Sequence, residues 1–204
     1  MIRNGNDEYD LIRDIVCTQG YDEQVSSVLC SMLGYMRDSH SIGGCHAACS
    51  VIYVALSELG YHVELCLGEV KAGALYFDHS WIMLDSKVID IAVAMIPAGD
   101  FKALGAVILD TNIGTNQRHK LQYGVYRSGL DRETEKVRNM PFVEYMDNYP
   151  KAQGGLWGVL QFVFPGAEDI KNLREHYKDT MRHFVRYGRG AGVEEETGRA
   201  GIGL

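Results

Sequence analysis

Residues 43–70 read GGCHAACSVIYVALSELGYHVELCLGEV, and the change of period inside this stretch decides the fold class. From Cys45 to Leu59 the apolar residues Ala48, Ile52, Leu56 and Leu59 recur at steps of three and four. His46, Ser50, Tyr53 and Ser57 make a narrow polar stripe opposite, so the pattern predicts a mostly buried helix. Gly60 stands where a helix ends in a left-handed residue. From Tyr61 to Val70 the period becomes two, with Val63, Leu65 and Leu67 set against His62, Glu64 and Cys66, which predicts a half-buried strand. A buried helix feeding a strand of an antiparallel sheet is an α+β arrangement.

Upstream, Glu8 to Arg37 carries apolar residues at helical spacing interrupted at Gly20 and Gly34, which predicts two short helices with breaks. Downstream, Lys71 to Tyr76 reads as a connection, and Phe77–Leu84 and Lys87–Val93 read as two strands joined across Asp85-Ser86. Further strands are expected at Ala106–Leu109 and Leu121–Arg127 around a polar Gly/Asn loop, and helices at Phe142–Tyr149 and Glu168–Tyr187. The basic residues Lys171, Arg174, Lys178, Arg182 and Arg186 recur among acids at helical steps, the mark of a solvated helix face. Residues 1–187 are expected to form one domain. Residues 188–204 hold six glycines and an acidic run, so they bury too little apolar surface to offset ordering and are expected to form a loose tail.

The chain has 204 residues with 46% hydrophobic and 23% charged content, enough for a full core and ordinary for a globular protein. A net charge of −7 without clustered Lys and Arg argues against a nucleic-acid partner. Met1 to Asp10 is polar and acidic, so no secretory signal is expected, and no apolar run reaches membrane-spanning length. Five cysteines without regular spacing favour free thiols in a reducing compartment, and the cytoplasm of the producing cell or of a host is expected. No cofactor is expected.

Cys45 falls at the start of the predicted helix, where unpaired N–H groups and the macrodipole favour a thiolate. Taken alone, a cysteine is more often a small buried hydrophobe. The hairpin supplies the rest of the pattern. A two-residue turn at Asp85-Ser86 sets Leu84 opposite Lys87, and counting back puts Trp81 opposite Asp90 and His79 opposite Ala92. His79 and Asp90 then share one face as diagonal neighbours, about 7–8 Å apart along the backbone. Asp78 points to the other face and Asp85 lies at the turn, so Asp90 is the acid this geometry selects. Both polar residues sit in apolar strand sequence, where burial demands a partner.

Gly44-Cys45 followed by a helix ending Leu59-Gly60-Tyr61, with His79-Ser80-Trp81-Ile82 and then Val88-Ile89-Asp90, resembles the transglutaminase-like, papain-related superfamily of thiol enzymes. The resemblance covers Gly43 to Ala92, a quarter of the chain, in the order Cys, His, Asp. It implies Cys45 as nucleophile, His79 as general base and acid, and Asp90 as the group orienting the imidazole. It also implies a Cys-bearing helix packed on an antiparallel sheet that carries His and Asp, with further helices at both ends. The leader-peptide peptidases of lasso-peptide biosynthesis, within this broad group, share a short hairpin between His and Asp.

The chemistry implied is thiolate attack on a carboxamide or peptide carbonyl through a thioester, with a peptide or protein as substrate. A thiol peptidase or amidase is the first reading; an acyltransferase or glutamine deamidase on the same scaffold is the second, and a binding module that keeps the fold without chemistry is the third. The Cys45 backbone N–H is the first oxyanion donor, and Gln19 and Gln24 are the nearest upstream amides for a second, although each reads better as a surface glutamine. Cys45, His46, Cys49 and His79 also admit a zinc reading, against which the absence of a second Cys or His pair speaks. Cys17, Cys30, Cys49 and Cys66 read as core or half-buried residues, His46 as part of the exposed stripe or a neighbour assisting Cys45, and Trp81 as a shield over the ion pair or ordinary core.

Overall fold

The computed structural model describes residues 5–40, 44–96, 104–150 and 152–186. The expected tail therefore lies outside the described residues. The N-terminal segment forms α1 (Gly5–Thr18) and α2 (Glu23–Asp38), parted at Gly20, whose φ of +83° suits glycine. The two run antiparallel, with Glu8 near the start of α1 paired to Arg37 near the end of α2. The break expected at Gly34 does not occur. There a Cβ would come within 3.3 Å of Tyr9 Oη, so the glycine serves close packing of α1 on α2 rather than a kink.

Helix α3 (Cys45–Glu58) buries ten of its 14 residues, which makes it the central core helix. It closes with Gly60 N–H donating to Ser57 O at 2.9 Å and Tyr61 N–H to Leu56 O at 3.1 Å, the paired bonds that a left-handed glycine after the helix end allows. The polar stripe is only partly solvated: Ser50 is fully buried and satisfied by donating Oγ–H back to His46 O at 2.8 Å.

Strands β1 (Val63–Ala72) and β2 (Leu75–Leu84) then pair antiparallel over their whole length, from Val63↔Leu84 to Ala72↔Leu75. The expected connection at Lys71 to Tyr76 shrinks to the two residues Gly73-Ala74, because the positive φ of Gly73 lets the ladder run to the tip. At Asp85-Ser86 both φ angles are positive, +49° and +63°, and Leu84 does oppose Lys87 in β3 (Lys87–Ile89). The ladder stops at Ile82↔Ile89, so the expected pairs Trp81↔Asp90 and His79↔Ala92 do not form. Asp90 explains the stop. Its backbone bridges to Val107, and its Oδ1 accepts the Val93 N–H at 3.0 Å, drawing the chain into a 3-10 turn at Ala92–Met95.

Beyond it, β4 (Val107–Ile108), β5 (Thr111–Asn112) and β6 (Gln117–Arg118) form a small antiparallel sheet, so the polar loop expected there contains two strands. Strand β7 (Gln122–Val125) adds to the far edge of β1. Two helices went unanticipated: α4 (Arg132–Asn139), which buries only Thr134 and so has no apolar period to read, and α6 (Gly155–Val163), a short apolar run behind glycines. Between them α5 (Phe142–Asp147) occupies the expected place. Helix α7 (Ile170–His176) ends well before Tyr187, and the chain turns into β8 (His183–Phe184), parallel to β1. The basic face is thus broken: Arg182 lies off the helix and is 9% exposed, its guanidinium over the rings of Phe142 and Tyr145.

The main sheet runs β3-β2-β1-β7, with β8 also on β1. Val63, Leu65, Ile82 and Leu84 face a cluster shared with all three N-terminal helices and α6, while Cys66, Val70, Trp81, Val88 and Val107 make a second cluster. The architecture is α+β, with α3 between the other helices and the sheet. Among the described residues no helix is long and apolar enough to cross a membrane.

Gly68 on β1 is where β8 docks. A Cβ there would stand 2.6 Å from Val185 O, so Gly68→Ala must displace backbone. The expected loss is about 1–3 kcal/mol. Faster hydrogen exchange at the Val185 amide, which donates to Leu67 O at 2.9 Å, would locate it; unchanged exchange would refute this account of Gly68.

Candidate active site

Because β3 leaves β2 after Ile89, the outer edge of β2 at His79 and Ser80 is open to the first two turns of α3. Cys49 Sγ donates to Ser80 O at 3.2 Å, and His46 Nδ1 lies 2.7 Å from Ser80 Oγ. These contacts seat the N-terminus of α3 against β2. Cys45 is the first helical residue and is 8% exposed, and its cap residue Gly44 has no side chain to occupy the first-turn N–H groups.

Both His79 and His46 are within hydrogen-bonding reach of Cys45 Sγ. Burial pushes this thiol up, but the His79 imidazolium, joined by His46, outweighs it and holds the group well below the usual thiol range. The mirror effect acts on His79, which is 2% exposed. Burial alone would lower it, yet Asp90 and the Cys45 thiolate raise it to about 10. Each group thus shifts the other toward its charged form, the thiol down and the imidazole up.

Asp90 is fully buried, and among the described residues its carboxylate is met by three donors. His79 Nε2 approaches at 2.9 Å, the Val93 N–H at 3.0 Å and the Tyr123 hydroxyl at 2.9 Å. With Nε2 committed to the carboxylate, Nδ1 is the nitrogen left to the sulfur. Phe77 closes over His79 edge-on at 5.4 Å between ring centroids. Trp81 packs on Tyr123 at 4.9 Å, so it supports the tyrosine that holds Asp90. Asp78 accepts the Asp131 N–H at 2.6 Å and Asp85 the Tyr21 hydroxyl at 2.8 Å, so both alternative acids are engaged elsewhere.

The structure thus brings Cys45, His79 and Asp90 together and adds three residues that local pattern does not reveal: Tyr123, Ser80 and Tyr145. Tyr123 reaches the site because β7 pairs with β1 across a long sequence separation, Val70 opposite Tyr123. Tyr145 of α5 packs against the core cluster that contains Cys45, and burial raises its phenol. Gln19 donates its amide to Leu109 O at 3.1 Å, and Gln24 is exposed, as a surface glutamine is expected to be.

The other thiols differ in kind. All five cysteines are unpaired. Burial raises Cys49 well above the ordinary range, Cys66 to about 12 and Cys30 to about 11, while Cys17 is exposed. Among the described residues no group of three His, Cys, Asp or Glu side chains is arranged to hold a metal ion. Two cavities, of about 500 Å³ beside Trp157 and Arg174 and about 260 Å³ beside His119 and Leu121, lie elsewhere, and neither is lined by Cys45, His79 or Asp90. Comparisons of the chain with protein-family models, with curated proteins and with solved structures give no match.

Proposed function

We propose that this chain is a cysteine-nucleophile hydrolase, a peptidase or amidase acting on a peptide or protein, built on a transglutaminase-like, papain-related fold. The observation that supports it above others is a buried, fully satisfied carboxylate holding the imidazole that lowers the Cys45 thiol. A structural ion pair needs no thiol at a helix N-terminus, whereas nucleophilic catalysis needs this combination.

In this reading the Cys45 thiolate attacks the substrate carbonyl carbon, and the oxyanion is met by the Cys45 N–H at the start of α3, worth about 2.7–4 kcal/mol per well-placed donor. His79 Nδ1–H then protonates the departing amine as the C–N bond breaks, leaving a thioester on Cys45. Asp90 keeps the ring oriented and its charge balanced. Water arriving at the thioester gives a carboxylate product and returns the thiolate. The five free thiols support the cytoplasm as its compartment.

Incubation with glutamine-containing peptides and an amine donor, followed by weighing the products, tests the reading. Backbone cleavage or ammonia release by water is the expected result. Amine incorporation would move the chain to acyl transfer on the same residues, and untouched peptides together with uniform alkylation of all five thiols would leave only a binding module.

A further inference from the structure

The cavity of about 260 Å³ at the tip of the β1–β2 hairpin carries a charge opposite to that of the whole chain. The protein has a net charge of −7, yet Arg118 and Lys120 line this cavity and no acid does. Lys71, next to the lining residue Ala72 on β1, adds a third positive charge at this end of the sheet. Asp110 stands outside the lining and is already engaged, accepting the Val88 N–H at 2.9 Å and Arg118 at 3.3 Å. The Arg118 side chain is 81% exposed in that pair, so the pair is weak and the guanidinium can take a second acceptor. In the larger cavity the cation Arg174 is committed to Asp147, which also accepts Trp157 Nε1–H.

His119 lies between the two cations in sequence and lines the same cavity. Its side chain is 10% exposed, with Nε2 facing Asp110 Oδ1 at 3.7 Å and the ring held edge-on against Tyr123 at 5.5 Å between centroids. Burial holds the imidazole below its ordinary value, so the neutral form dominates at pH 7, and the carboxylate draws the remaining proton to Nε2. Nδ1 then carries a lone pair, and it is buried without a hydrogen-bond partner among the described residues. A buried acceptor in this state is a cost that an incoming donor removes. The cavity also offers apolar surface at Ala72, Leu104 and Leu121. Its wall is stiffened by Asn112, which donates to Gly105 O at 3.2 Å and accepts the Gly114 and Thr115 N–H groups at 2.9 and 3.1 Å.

We propose that this cavity binds an acylated amino acid by its free carboxylate, either as the small compound itself or as the C-terminal residue of a peptide. The carboxylate sits with Arg118 and Lys120, the N–H on the adjoining carbon donates to His119 Nδ1, and an aliphatic side chain covers Leu104 and Leu121. Each part of the ligand answers a different part of the wall. A bare inorganic anion has no body for the apolar residues, and an amine meets like charge. The site stands on β6, the segment after it and the hairpin tip, and it does not depend on the chemistry at Cys45.

The probe is N-acetyl-L-leucine, titrated by calorimetry into the Cys45→Ala chain so that no turnover competes. Saturable binding is expected. N-acetyl-L-leucinamide, which lacks the charge, should bind about tenfold more weakly or worse, and the double variant Arg118→Gln, Lys120→Gln should lose about as much for the acid while its thermal unfolding stays unchanged. The oxygen analogue 2-acetoxy-4-methylpentanoate, without the N–H, should bind about fivefold more weakly. In nitrogen NMR the His119 Nδ1 resonance should move with N-acetyl-L-leucine and hardly at all with the oxygen analogue. A tetrapeptide ending in leucine separates the two sources: binding tighter than that of N-acetyl-L-leucine identifies a peptide end, and weaker binding identifies the free compound. Equal affinity for the acid and its amide, an unaffected double variant, or equal affinity for the oxygen analogue overturns the proposal. So does inorganic phosphate binding as tightly as N-acetyl-L-leucine, or the absence of saturable binding up to about 10 mM.

Discussion

Cys45→Ala is expected to lower turnover by at least about 10⁴-fold while leaving the fold intact, because removal of a nucleophile leaves only binding and oxyanion contacts. Alanine suits the first turn of a helix, and His79 keeps its partner Asp90 at 2.9 Å, so no charge is orphaned. The same substitution has a chemical signature independent of any substrate. At pH 6 ordinary thiols are protonated, whereas Cys45 is held well below the usual range by His79 and His46 against its own burial. Iodoacetamide at that pH should label Cys45 ahead of the other four cysteines despite its 8% exposure, and Cys45→Ala should remove this reaction. Cys49, Cys66 and Cys30 are shifted the opposite way by burial and should lag at every pH below 9. If Cys17, the exposed thiol, reacts first and Cys45 only at alkaline pH, the ion pair does not exist in solution.

The parts of this site that were legible in the sequence are those written in local periods. The switch from 3.6 to 2 across Gly60 placed α3 and β1, and the two-residue turn at Asp85-Ser86 fixed the parity that separates His79 from Asp78. That parity selects Asp90, and Asp90 does meet His79, although by a different route from the one pairing suggests. The ladder ends one residue before Asp90 because the carboxylate binds the Val93 N–H, a local competition between side chain and sheet that hydrophobic pattern does not register. Tyr123 and Ser80 were illegible for another reason. Their roles depend on which strand lies beside β1 and on how α3 leans on β2, both settled by packing between distant segments. Arg182 shows the same limit from the other side: its spacing fits a solvated helix, yet the chain leaves the helix after His176 and buries the guanidinium over two rings.

Asp90→Asn is expected to reduce turnover by at least about 10³-fold and to cost roughly 3 kcal/mol of stability, since breaking a buried ion pair strands the remaining charge. The carboxylate accepts from His79, Val93 and Tyr123 at once. An amide of the same shape has one oxygen for those three donors and turns its NH₂ toward at least one of them, and a buried donor without an acceptor costs about 1–3 kcal/mol. The electrostatic consequence is larger. Without the carboxylate, burial dominates at His79, its pKa falls from about 10, and the proton it held passes to the Cys45 thiolate. Alkylation of Cys45 should then require a higher pH than in the unsubstituted chain. The sign of the stability effect follows from the same shift. His79 titrates near 10 when folded against 6.5 when unfolded, so the stability it contributes is whole below pH 6.5 and is lost as pH rises through about 10. Cys45 moves the other way, contributing above its unfolded value of 9 and losing that contribution as pH falls through its lowered folded value. Denaturant unfolding should therefore show the gap between Asp90→Asn and the unsubstituted chain whole near pH 6.5, shrinking from there as pH rises, and its charge-dependent part gone by about pH 10. Tyr123→Phe, which removes one donor and leaves the charge in place, should produce a small fraction of either effect. Equal losses from the two substitutions, or a gap that does not change with pH, would mean that Asp90 acts as a packing group and not as the counter-charge of the imidazolium.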